Sequence, residues 1–234
     1  MISTIGVVTS GGDSPGMNAA ARAVVRTAIS EGVRIFGVYG GYTGLLDGDI
    51  KELSTRSVSD LIQRGGTFLG TGRSKRFHTE EGRKAAMEKL KEHGIEGLVV
   101  IGGDGSLTGA AHLSRHGMPI VGLPATIEND VWGTDYTIGA DTAANTVLEA
   151  INKLRDTASA HRRIILIEVM GKKSGWLAMM AGVAGGAEYV LVPEVKYDLD
   201  AICTEIMDAY EAGKKYSIIV VAQGAGSAVE MGKF

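Results

Sequence analysis

The sequence predicts an α/β protein whose mostly parallel sheets are covered by helices. Three observations lead there. Short apolar runs alternate with segments of helical apolar spacing along the chain. The runs are continuous rather than alternating in polarity, as in strands buried on both faces. Glycine supplies 34 of 234 residues against only 4 prolines, about twice its usual share of roughly 7%. Glycine without proline and without a Gly-X-Y period excludes collagen and low-complexity disorder and suits many tight turns.

Taken in order, Ile5-Gly6-Val7-Val8 reads as a strand. Ala21, Val24, Val25, Ala28 and Ile29 then share one face of a helix over 17–30, with Pro15 suited to its first turn. Val33–Tyr39 is the next strand. Thr79 caps a helix that buries Ala86, Met87 and Leu90 and closes at Gly94. Gly97–Ile101 and Pro119–Leu123 are strands flanking a helix over 108–115. The second half repeats the rhythm. Val147, Leu148, Ile151 and Leu154 form a helical stripe, and Ile164–Ile167 and Tyr189–Val192 are strands. A stripe of Leu199, Ile202, Ile206 and Tyr210 follows the cap Asp198, and Ser217–Val221 is the last strand. The expected domain boundary is the polar stretch between Thr134 and Asp141.

Charge and cysteine content narrow the function. Lys and Arg total 24 against 27 Asp and Glu, a net charge of −3. No basic excess marks a nucleic-acid or membrane-surface binder. A single cysteine, Cys203, allows neither an internal disulfide nor a Cys-based metal cluster. The N-terminal apolar run is too short for a signal-peptide core, and no stretch approaches 18 apolar residues. The reading is of a cytoplasmic protein.

In open α/β sheets ligands bind beyond the carboxyl ends of the strands, and here those ends carry chemistry. The first strand runs into Ser10-Gly-Gly-Asp-Ser-Pro-Gly-Met-Asn18. Such glycines let backbone amides approach a phosphate, and the next helix adds partial positive charge. A plain tight turn has the same composition, and neither standard phosphate-loop motif is met. A second tip, Gly102-Gly-Asp-Gly-Ser106, places a carboxylate at a glycine turn. Asp104 is thus a candidate ligand for Mg²⁺, which favours one or two carboxylates with phosphate oxygens and water. The third tip, Pro124-Ala-Thr-Ile-Glu-Asn-Asp130, groups a hydroxyl with two carboxylates. Arg73 follows a glycine-flanked loop and suits charge developing on a migrating phosphoryl group. Arg162 and Arg163 precede the strand ending at Glu168-Val-Met-Gly171 and suit a phosphorylated substrate. Together these describe phosphoryl transfer to an alcohol.

The segments Ser10–Asn18, Arg64-Gly-Gly-Thr67, Ile101–Ser106, Thr126–Asp130, Gly133-Thr-Asp-Tyr-Thr137 and Glu168–Gly171 resemble bacterial ATP-dependent 6-phosphofructokinases along essentially the whole chain. The resemblance implies two Rossmann-like three-layer α/β/α domains, 1–138 for nucleotide and Mg²⁺ and 139–234 for the sugar phosphate, the second incomplete. It implies Mg²⁺-dependent transfer from ATP to the 1-hydroxyl of fructose 6-phosphate, in glycolysis, by a homotetramer. By position, Gly12, Tyr42, Arg73, Ser74, Asp104, Gly105, Ser106 and Gly109 line the nucleotide site. Thr126, Glu128, Asp130, Arg163, Met170, Gly171 and Gln223 meet the sugar phosphate, with Arg163 reaching a neighbouring subunit. Glu128 is the base, and Arg73, Thr126 and Gly12 complete the catalytic set. Arg22, Arg26, Arg155, Glu188 and Lys214 match an allosteric site for a nucleotide or phosphoenolpyruvate.

Gly105 and Ala125 favour ATP over pyrophosphate, because pyrophosphate-dependent relatives typically carry Asp and Lys there. Trp176 after Gly175 points toward that other branch. Four positions depart from the family pattern: Glu128 replaces Asp, Gln223 replaces Glu, and His78 and Ala212 replace basic residues. The sequence is also C-terminally short and is expected to lack further arginine and histidine contacts and to leave sheet edges exposed. Two alternatives follow: a weak or inactive nucleotide- or phosphometabolite-binding homologue, and a pyrophosphate-dependent phosphofructokinase.

Overall fold

The computed structural model describes residues 2–233. It forms two compact units, one of residues up to Thr126 with Val131–Gly139, the other of Ile127–Asp130 with the chain from Ala140 onward. The short segment 127–130 joins the second unit because Ile127 packs into that unit's core.

The first unit holds β1 (Thr4–Ser10), α1 (Met17–Ser30), β2 (Arg34–Val38), α2 (Gly41–Asp47), β3 (Ile50–Glu52), α3 (Glu80–Glu92), β4 (Gly97–Gly102), α4 (Asp104–Arg115) and β5 (Ile120–Pro124). Its sheet has the order β3-β2-β1-β4-β5, parallel except for the β2–β3 pair. The chain works outward from β1 to β3, then returns to β4 on the other side. The crevice between β1 and β4 is therefore the topological switch point, where such sheets bind ligands. Side chains alternate across the sheet: Val8, Val38 and Val100 join the core under α3 and α4, while Val7, Ile35 and Ile101 join the core under α1.

The second unit holds α5 (Ala140–His161), β6 (Ile164–Val169), α6 (Trp176–Ala184), β7 (Tyr189–Leu191), α7 (Leu199–Glu211), β8 (Ser217–Ala222) and α8 (Ala228–Met231). Its parallel sheet runs β6-β8-β7. Ile218 and Val220 face the core with Leu177, Ala178 and Ala181 of α6, and Ile219 and Val221 face Ile206 of α7. Each unit is thus a three-layer α/β/α arrangement.

The elements follow from the residues that mark them. The Thr79 side chain accepts the Gly82 N–H, and Asp198 accepts from Asp200 and Ala201, so both expected caps form. Three expectations are corrected. Helix α4 starts at Asp104 rather than 108, because the glycine tip itself forms the first turn. Pro15 lies just outside α1, whose first helical residue is Met17. Helices α2 and α6 carry no alternating stripe to announce them: α6 is apolar nearly all round, and α2 is rich in glycine. Coverage on both faces holds for β1, β4 and β8 but not at the sheet edges, where Val121 on β5 is 59% exposed and Ile164 on β6 is 46% exposed.

Candidate functional site

The first unit gathers its candidates at the switch point. Ser10 and Gly102 are partners in register, so the Gly11-Gly12 and Gly103-Asp104 turns leave the sheet side by side. The approach is close enough to require glycine: a Cβ at Gly102 would lie 2.5 Å from the Ser10 carbonyl and 2.7 Å from Ser106 Cβ. Gly11 has φ of 91°, in the left-handed region that glycine tolerates. No side chain caps α4; the Ser106 and Leu107 N–H groups already donate to the Gly103 carbonyl, which leaves the amides of the exposed Asp104 and Gly105 as the donors at the helix start. Thr126 stands next to this tip, its Cβ 3.4 Å from where a Cβ of Gly103 would be.

The loop from Thr67 to Ser74 is tied to the same tip. Thr71 Oγ1 donates to the Gly11 carbonyl at 2.9 Å, and Thr9 Oγ1 donates to the Gly70 carbonyl at 2.8 Å. These bonds bring Arg73, which is exposed, to the strand ends. Tyr42 is buried behind the tip. Its hydroxyl donates to the Ser106 carbonyl at 2.7 Å, and its ring stacks on Phe77 at 3.9 Å with planes 3° apart. Burial pushes the Tyr42 phenol well above its ordinary range, so it stays a donor. Gly109 is needed here, because a Cβ would sit 2.9 Å from both rings. The sequence does not announce the contributions of Thr71 and Phe77; only the position of Thr71 between glycines hints at its place in the turn.

The second unit gathers a different set. Strands β6 and β8 pair so that Val169 faces Ala222, and the Gln223 N–H donates to the Val169 carbonyl at 2.9 Å. Met170, Gly171 and Gln223 therefore share one sheet end. Gly224 donates to the Gly171 carbonyl at 2.8 Å. The Glu128 main chain joins this group, because Ser174 Oγ donates to its carbonyl at 3.1 Å. Asp130 is exposed two residues on. Arg163 is not brought together with these residues: it precedes β6 at the opposite strand end, six residues before the C-terminal tip, about 20 Å away at roughly 3.3 Å per residue.

The residues matched to an effector site divide between the units. Arg22 donates to the Val58 carbonyl at 2.6 Å, and Arg26 is exposed on the same helix. In the second unit Arg155 bonds the carbonyls of Gly185 and Gly186. Lys214 pairs with Glu188 at 2.7 Å, and both line a cavity of about 310 Å³. Burial pushes the Glu188 carboxyl up, but the Ile218 N–H and the Lys214 ammonium outweigh it and hold the carboxyl below its usual range.

A family profile described as Phosphofructokinase matches residues 4–234. The chain belongs to the phosphofructokinase family. It is 57% identical over 229 residues to an ATP-dependent 6-phosphofructokinase of Halalkalibacterium halodurans, spanning 98% of this chain and 72% of that relative. Identity to the Bacillus subtilis protein of the same name is 58%, with the same coverage. Among solved phosphofructokinases, that of Saccharomyces cerevisiae superposes with a TM-score of 0.88 at 40% identity, covering 99% of this chain and 36% of the yeast chain. A pyrophosphate-dependent phosphofructokinase from Marinobacter aquaeolei gives 0.81 at 26% identity, covering 96% of this chain and 61% of that one. The chain thus spans about a third of the yeast phosphofructokinase and nearly three-quarters of its bacterial phosphofructokinase relatives.

Proposed function

We propose that this chain transfers the γ-phosphoryl group of ATP to the 1-hydroxyl of fructose 6-phosphate. The observation that carries the reading is the β1–β4 switch point, where two glycine turns, an uncapped helix start and an exposed Asp104 meet. The unit of residues up to 126 with 131–139 then serves the nucleotide, and 127–130 with the chain from 140 onward serves the sugar phosphate. Gly12, Arg73, Ser74, Asp104, Gly105, Ser106 and Gly109 line the nucleotide, with Tyr42 fixing the turn from behind. Amides of the turns hold the donor phosphates, and Arg73 stabilises charge on the group in flight.

Mg²⁺ fits the donor set present. The exposed Asp104 carboxylate stands at the glycine tip where the donor phosphates are placed, the kind of site that holds Mg²⁺ by one carboxylate with phosphate oxygens and water. Asp104 is the residue that would hold it; when bound, the ion supplies charge neutralisation on the donor phosphates.

On the sugar side, Glu128 accepts the proton of the attacking hydroxyl, with Thr126, Asp130, Met170, Gly171 and Gln223 orienting the substrate. Arg163, at the far end of β6, serves a neighbouring subunit's sugar phosphate in a homotetramer. Arg22, Arg26, Arg155, Glu188 and Lys214 bind an anionic effector, a nucleotide or phosphoenolpyruvate. ATP is favoured over pyrophosphate because Gly105 leaves open space: a methyl placed there would meet nothing within 4 Å. No helix among the described residues is long and apolar enough to cross a membrane.

The test is a coupled assay with Mg-ATP and fructose 6-phosphate on the parent and on Glu128→Gln. The parent turns over, and the variant loses about 10²–10⁴-fold in kcat, the usual worth of a positioned general base. A variant as active as the parent removes Glu128 from the role.

A further inference from the structure

Resting on the reading of Glu128 as base, we infer that Ser174 is the residue that positions it. Ser174 lies on the loop between β6 and α6, 46 residues from Glu128 in sequence. Its hydroxyl donates to the Glu128 carbonyl at 3.1 Å and accepts the Trp176 N–H at 3.3 Å. A hydroxyl has one proton and two lone pairs, so one side chain serves both bonds and joins the start of α6 to the base segment.

The hydroxyl is delivered from a fixed frame. Gly171 has φ of 138°, and a Cβ there would lie 2.4 Å from the Ser174 carbonyl. Gly175 donates its N–H to Glu194 Oε1 at 2.8 Å, and a Cβ on Gly175 would meet Val192 at 2.4 Å. Gly224, in the turn just past β8, anchors the Gly171 carbonyl. On the other side of the bond, Ile127 is seated against the second unit's core and Asn129 takes a left-handed turn with φ of 47°. Glu128 therefore hangs between an apolar anchor and a turn, and the Ser174 bond holds its own peptide. A glutamate has one more rotatable bond than an aspartate, so placement of its carboxylate depends more heavily on where the backbone is held. The same loop carries Met170 and Gly171, so Ser174 also registers the base against the residues proposed to orient the sugar.

The experiment compares Ser174→Ala and Ser174→Thr with the parent in the full chain, alone and combined with Glu128→Gln. Steady-state kinetics and amide hydrogen exchange over residues 127–130 are measured for each. Ser174→Ala should lower kcat about tenfold, since loss of the bond lets the base drift by a fraction of an ångström and 1 Å costs on the order of 10²-fold. KM for ATP should stay within about twofold, a split that general unfolding does not give. Ser174→Thr, which keeps the hydroxyl, should restore most of the rate. In the Glu128→Gln background Ser174→Ala should cost nothing further. Exchange over 127–130 should quicken in Ser174→Ala and return toward the parent in Ser174→Thr. An unchanged kcat with unchanged exchange overturns the inference, as does a full loss in the Glu128→Gln background. Failure of the underlying reading looks different: Glu128→Gln matches its parent, or neither turns over, while exchange over 127–130 still scores the Ser174 bond.

Discussion

Gly109→Ala tests the packing that holds the α4 tip. A methyl at 109 would lie 2.9 Å from Phe77 Cε1, 2.9 Å from Tyr42 Cε2 and 3.2 Å from Tyr42 Cζ. Neither ring can yield cheaply. They are stacked at 3.9 Å, both are buried, and the Tyr42 hydroxyl is bonded to Ser106. Overpacking of this kind costs about 1–3 kcal/mol. The ordinary gain from replacing a helical glycine with alanine is about 0.5–1 kcal/mol. The difference leaves a net loss of up to about 2.5 kcal/mol, centred at about 1 kcal/mol, and each kcal/mol lowers the melting temperature by roughly 2–4 °C in a chain of this size. The same helix supplies the control. A methyl at Gly105 meets nothing within 4 Å, and its φ is not positive, so Gly105→Ala should be neutral or stabilising by a few tenths of a kcal/mol. Calorimetry of the two variants beside the parent reads the contrast directly. A Gly109→Ala protein that melts with or above Gly105→Ala would show that the Tyr42–Phe77 stack is not the rigid wall described.

Gly105→Asp should fold, because the space is open, yet raise KM for ATP by about tenfold or more, since a second carboxylate beside Asp104 repels the phosphates; an unchanged KM removes residue 105 from donor choice. Glu96 predicts a pH effect. Its carboxylate accepts the Ser3 N–H and hydroxyl and the Thr4 N–H, and the Ser3 N–H first among them holds its pKa below the usual range. A group depressed in the folded state contributes stability above its unfolded pKa of about 4.3, and loses it as pH falls through the folded value. Glu96→Gln should therefore melt below the parent at pH 7, with the gap closing under acid conditions. Melting curves that stay a constant distance apart from pH 7 to pH 3 count against the link.

How much of the fold and the site is legible in the sequence divides along a physical line. Period and punctuation are local properties, so the strand–helix alternation, the caps Thr79 and Asp198 and the glycine turns at strand tips can be read from neighbouring residues. The motifs that resemble phosphofructokinases are contiguous for the same reason. Helix α6 escapes because an element apolar all round carries no period to detect. Candidate site residues are legible only where they sit inside such motifs. Ser174, Phe77 and Thr71 act through partners 46, 35 and 60 residues away, and nothing in a local window points to a distant carbonyl or ring.

The chain's order of residues thus determined which segments become strands, helices and amide-lined turns, because those choices rest on short-range sterics and side-chain spacing. Only the folded arrangement decided that β1 and β4 lie adjacent, that Tyr42 braces Ser106, and that Ser174 grips the Glu128 peptide. Those are pairings across the sheet and between loops, and they come into being when strand order and packing bring remote parts of the chain within hydrogen-bonding distance.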